Sequence, residues 1–153
     1  MSKVWTEYLA QQLLVEAVDG TPASGPLPAA KLHLFMGSPA LGPSMVPADF
    51  TGVGVLPTYT GYAAKDLTWG ATPVRLPDGS FAARGTIAAP FQPTDAVTAN
   101  TIAGAVVMDT GGTHVLYAYF FDQPREMVDA FSVIGIVELL GIKDSGADSD
   151  VDS

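Results

Sequence analysis

Residues 101–122, TIAGAVVMDTGGTHVLYAYFFD, decide the fold: two apolar runs are joined by Asp109-Thr110-Gly111-Gly112. Apolar runs on either side of an Asp/Gly turn predict a β-hairpin. Along the second arm side chains alternate, so Val115, Tyr117, Tyr119 and Phe121 fall on one face and His114, Leu116, Ala118 and Phe120 on the other. Both faces are largely apolar. A strand that can show neither face to water belongs in a sandwich, or in a sheet whose outer face meets another subunit.

Outward from the hairpin, residues 31–36, KLHLFM, alternate Leu32 and Leu34 against His33 and Phe35 and predict a first strand. Residues 66–69 follow as a second, with Leu67 and Trp69 inward. The turn Pro77-Asp78-Gly79 predicts a hairpin between 73–76 and 80–90, with Phe81, Ala83, Gly85 and Ile87 on one face. β-Branched Val133, Ile134, Ile136 and Val137 around Gly135 favour a closing strand over 131–140. The Gly/Pro-dense stretch GSPALGPSMVPADFTGVGVLPTYTG has room only for short extended pieces such as 50–56, and long loops of this kind carry contacts.

At the other end of the chain, Trp5, Leu9 and Leu13 recur every fourth residue with Val4 and Tyr8 beside them, and Ser2 is placed to cap. This predicts an amphipathic helix over 1–20, a Pro/Gly linker over 21–30, a β domain over 31–143 and a disordered acidic tail over 144–153. The fold class expected is mainly β: an antiparallel β-sandwich of jelly-roll type with an appended N-terminal helix.

Composition narrows the function. The chain has 153 residues, enough for one domain with a real core, and is 48% hydrophobic but only 15% charged. Seven Lys and Arg against 16 Asp and Glu leave a charge of −9, which disfavours a nucleic-acid surface. Zero cysteines remove disulfides, thiolate catalysis and cysteine-bound zinc. Glu7 and Glu16 interrupt the apolar segment a secretory signal needs, and no apolar run approaches the ~20 residues that span a bilayer. A soluble protein with no membrane partner is expected.

Few motifs can carry chemistry. Val106-Val107-Met108-Asp109-Thr110-Gly111-Gly112 resembles the Asp-Thr-Gly signature of aspartic proteases, in which two aspartates share a proton; a single copy would act as a homodimer built on Asp109. The apolar-apolar-Gly strand that follows in that family has its counterpart in Val133-Ile134-Gly135, which comes far too early. The competing reading is that Asp109 and the two glycines supply the left-handed conformations a tight hairpin needs. Gly42-Pro43-Ser44-Met45-Val46 lacks the second glycine of a nucleophile elbow. His33 and His114 are too few for a zinc site, and Asp148, Asp150 and Asp152 lack the glycine and distal glutamate of a calcium loop. No catalytic residue, metal or cofactor is therefore expected.

Leu32-His33-Leu34-Phe35, Ala48-Asp49-Phe50-Thr51, Gly61-Tyr62-Ala63-Ala64 with Leu67 and Trp69, and Val115-Leu116-Tyr117-Ala118-Tyr119-Phe120, in that order, resemble a group of small tailed-phage proteins. The resemblance covers residues 31–142. It implies a compact antiparallel β domain in the virion that decorates the capsid, with the major capsid protein or another virion protein as partner and a trimer as the assembly. A tail- or fibre-associated module that binds carbohydrate or a host surface is the alternative, with Trp69, Tyr59 and Tyr62 as stacking platforms. The surplus apolar area gives the expected interface: Trp5, Leu9, Leu13, Tyr117, Tyr119, Phe121, Ile134 and Ile136.

Overall fold

A computed structural model describes residues 3–12, 29–70, 72, 74–95 and 99–142. Leu13, residues 13–20 of the expected helix, most of the expected linker and the whole of the acidic tail lie outside the described residues. The chain is mainly β, with 44% strand against 9% helix. Its strands are β1 (Val4–Trp5), β2 (Ala30–Met36), β3 (Lys65–Trp69), β4 (Val74–Arg75), β5 (Phe81–Thr86), β6 (Asn100–Asp109), β7 (Val115–Met127) and β8 (Val137–Ile142).

Among the described residues all eight strands form one antiparallel sheet, in the order β1-β7-β6-β2-β3-β5. β5 carries β8 along one edge and both β3 and β4 along the other, because Thr86 pairs with Thr68 and Val137 while Phe81 pairs with Arg75 and Ile142. β3 and β4 thus share one lane, interrupted between Gly70 and Val74. The sheet curls into a half-barrel instead of the two stacked sheets of a jelly roll.

The reason lies on the two faces of the central hairpin. Leu32, Leu34, Ala105, Val107, Tyr117 and Tyr119 point into the curl, where Leu67, Phe91, Ile134 and Leu140 meet them. Phe35, Val106, Met108, Val115 and Ala118 point outward, and the long loop after β2 lays Leu41, Met45, Phe50 and Val55 over them. The chain covers its own second apolar face with a loop, so no second sheet is required there. Met36 N–H donates to Val55 O (2.7 Å), and Asn100 Oδ1 accepts from Thr58 N–H (2.7 Å) and Tyr59 N–H (3.0 Å), which fixes the loop's return. Within this loop residues 47–50 form a 3-10 turn opened by Pro47, and 51–56 are turns and bends, where extended pieces were expected.

Bulges break the regular alternation of β7. Val107 pairs with Tyr117 but Met108 pairs with Val115, so Leu116 is an extra residue. Leu116 therefore joins Tyr117 in the inner cluster and Val115 joins Ala118 in the outer one, against simple alternation. Further along, Ile102 pairs with Arg125 and Gly104 with Phe120, so that residues 121–124 face Ala103 alone. Gly104 is required where the strands close up: a Cβ there would lie 2.6 Å from Phe35 Cζ and would run into the Tyr119 carbonyl oxygen.

The N-terminal segment is no appendage. Val4 and Trp5 extend the sheet beside Ala118 and Tyr117, since a valine and a tryptophan suit a free strand edge, and among the described residues of this segment 7–12 are helical. Thr6 caps them, its Oγ1 accepting from Leu9 N–H (3.2 Å) and donating to Val115 O (2.6 Å), while Ser2, the expected cap, lies outside the described residues. The closing strand also shifts, from the expected 131–140 to Val137–Ile142, because only that stretch finds β5 as partner; Ile134 makes an isolated bridge to Phe91.

Candidate functional site

The ends of the curled sheet, β1 and β8, approach each other without pairing, and side chains span the seam. Lys3, just before β1, donates from Nζ to the Leu139 carbonyl of β8 (3.0 Å) and lies 3.8 Å from Glu138 Oε2. Glu138 is 1% exposed and accepts from the Tyr117 hydroxyl (3.1 Å) and the Tyr119 hydroxyl (2.5 Å). The Lys3 ammonium also sits 5.8 Å and 5.2 Å from the two tyrosine ring centroids. Alternation along β8 turns Glu138 and Leu140 inward, and Glu138 faces Gly85 of β5, where the missing side chain leaves room for Trp69.

Burial governs the electrostatics of this cluster. It pushes the Glu138 carboxyl above the usual carboxylate range, and the Tyr119 hydrogen bond, the Lys3 charge and the Tyr117 hydrogen bond offset only part of that. Burial also lowers Lys3, against the pull of Glu138, and raises both tyrosines far beyond their ordinary value. Phenols so raised remain protonated donors. The arrangement is suited to holding strands together, with every polar head turned on another.

Beside the cluster the seam opens into a cleft of about 370 Å³. β1 covers β7 only at Tyr117 and Ala118. Beyond them Tyr119, Phe121, Ile134 and Ile136 supply apolar walls, and Asp122 and Arg125 stand among the polar residues lining it. The segment that leads from β7 into β8 borders it, with Phe131 at 89% exposure and Val128 and Val133 also exposed.

A second polar group sits at the tip of the β6–β7 hairpin. Asp109 Oδ1 accepts from Thr113 N–H (2.7 Å) and His114 N–H (3.2 Å), and Oδ2 lies 3.0 Å from His114 Nδ1. Partial burial pushes Asp109 up, but the hydrogen bonds from His114 and Thr113 outweigh it and hold the carboxyl below its ordinary value. These bonds close the turn, and Gly112, at φ +66°, supplies its left-handed residue; Asp109 and Gly111 stay at negative φ. His114 stacks on Tyr8 at 3.9 Å between ring centroids, beside a smaller cleft of about 240 Å³ that Ser44 also lines.

Of the residues expected at an interface, Tyr119, Phe121, Ile134 and Ile136 come together at the seam cleft. Tyr117 and Leu9 are buried in the inner core, Trp5 packs half-buried against that core, and Leu13 lies outside the described residues. The three aromatics proposed as stacking platforms turn inward: Tyr59 is buried, Trp69 packs on the core, and the Tyr62 hydroxyl hydrogen-bonds the Leu34 backbone. Lys3, Glu138 and Phe131 were missed by sequence reasoning. A lone glutamate inside the apolar run Val137-Glu138-Leu139-Leu140 is the signal that marks the second, since an acid there must be buried with partners. Among the described residues no group of His, Asp and Glu is placed to hold a metal. No protein-family model matches the sequence, and no curated protein matches it at a significant level.

Proposed function

We propose that this chain is a non-catalytic structural protein of a virion, which decorates the capsid by docking on the major capsid protein or another virion protein. The observation that carries the reading is a contrast. The buried Glu138, Tyr117 and Tyr119 are turned on one another with the partly buried Lys3 beside them, while Phe131, Val133 and Val137 stand exposed around an open cleft. Polar groups bonded to each other hold a shape, and exposed apolar side chains beside a cleft are what a protein partner covers. The virion setting rests on the resemblance of residues 31–142 to small tailed-phage proteins. A charged fraction of only 15% agrees with a surface partly covered in an assembly.

The test is direct. Purified protein is mixed with capsid shells prepared without it, and saturable co-sedimentation is expected, together with its detection by mass spectrometry in purified virions. Shells that pull down none of it, and virions that contain none, would overturn the reading.

A further inference from the structure

Phe131 is not the loose tip of a frayed loop. Its N–H donates to Asp129 Oδ1 (2.9 Å), and Ser132 N–H donates to the Asp129 carbonyl (3.1 Å). Ser132 Oγ accepts from Val128 N–H (3.1 Å) and Asp129 N–H (3.3 Å) and donates to Asp129 Oδ1 (3.3 Å). Gln92 Nε2 donates to the Ala130 carbonyl (2.5 Å), and Arg125 reaches the Val133 carbonyl (3.4 Å). Side chains from two other segments of the fold therefore brace a loop whose one aromatic side chain points at solvent. An aromatic held out in this way loses little entropy on binding, which is the behaviour of an interface anchor.

The hole for such an anchor is next to it. The seam cleft of about 370 Å³ is walled by Tyr119, Phe121, Ile134 and Ile136, and a cavity of roughly 150 Å³ already accommodates a benzene ring. Phe131 does not fill its own cleft, since it is 89% exposed. It lies three residues from Ile134, so knob and hole are at most about 11 Å apart along the chain.

We infer that two copies of this chain pair about a two-fold axis, with Phe131 of each inserted into the seam cleft of the other. A patch that carries knob and hole side by side is self-complementary under a two-fold rotation, whereas a three-fold ring needs them on different flanks of the subunit. Charge agrees with the same operation. Asp122 and Arg125, of opposite sign, both line the cleft, so the rim of each copy offers its mate a charge of either sign. Each phenylalanine buries on the order of 150–250 Å². With the neighbouring valines the pair reaches the low end of specific interfaces, so the dimer dissociates on dilution. The pairing stands apart from the virion reading and needs no shell.

The test is sedimentation of the full chain, without shells, over a dilution series. A monomer–dimer equilibrium is expected, with Phe131→Ser weakening it at least tenfold and leaving the circular dichroism spectrum unchanged, because the side chain touches no core. The chain has no cysteine, so Phe131→Cys copies mixed with Ile136→Cys copies should form a disulfide-linked heterodimer on mild oxidation. A monomer at every concentration, a trimer, or a dimer that Phe131→Ser leaves equally tight would each overturn the pairing. Shell binding is read separately: a monomer that still binds shells sinks only the pairing, and a dimer that ignores shells sinks only the decoration role.

Discussion

At the scale of single residues the chain spends its buried charge on shape. Tyr119→Phe removes one donor from a carboxylate that water cannot reach, and should cost about 1.5–3 kcal/mol, read as a lowered urea midpoint at constant slope. The pH dependence separates the two notable acids. Glu138 is raised in the folded chain, so its contribution is complete below the unfolded value and is lost as pH rises through the folded one. Asp109 is lowered, so its contribution is present above the unfolded value and is lost as pH falls through the folded one. Urea melts across the acid range should show Glu138→Gln flattening the decline toward neutral pH and Asp109→Asn flattening the acid limb. Identical profiles for wild type and Glu138→Gln would mean that the carboxylate is solvated. The Asp-Thr-Gly likeness to aspartic proteases was legible in sequence, and so was its competitor, the turn; the Asp109 oxygens hold backbone donors of that turn.

At the scale of elements the central hairpin and its long loop set the stability. Gly104→Ala forces a methyl into the Tyr119 backbone and should cost roughly 4 kcal/mol or more, whereas Gly112→Ala, with open space around it, pays only the left-handed penalty of about 1–2 kcal/mol. Phe50→Ala should cost about 3–5 kcal/mol, because the buried Phe50 ring packs tilted against Phe35, 5.3 Å between centroids, and is part of the loop that shields the outer face. A Phe50→Ala variant as stable as wild type would show that the loop merely lies on the sheet. Strands β2 and β3, the 77–79 turn and the central hairpin were all readable, since period-two patterning and turn residues are local. The closing strand was misplaced because β-branched residues fit any extended backbone, and only the β5 edge decides which of them pair.

At the scale of the whole molecule the half-barrel is held shut by contacts between its first and last strands. Deleting residues 1–12 removes β1, the Thr6 and Leu9 contacts and the Lys3 link to β8. The shortened chain should unfold at lower urea and scatter light at concentrations where the full chain stays clear, because Tyr117 and its edge lose their cover. A variant as stable as the full chain would return the segment to the status of an appendage. Far-ultraviolet circular dichroism of the full chain should be strand-dominated.

Sequence by itself determined the strand-rich, antiparallel character, the central hairpin and the presence of more apolar surface than one sheet face can bury. Those features follow from alternation, turn chemistry and composition, which are written over a few residues. Only the tertiary structure decided what covers the second face, where β7 bulges, and that Lys3, Tyr117, Tyr119 and Glu138 meet. These depend on which distant segments come into register. The sequence separation of 136 from Lys3 to Leu139 is closed by the curl of the sheet, and curl is a sum of strand twists and bulges that no local pattern encodes.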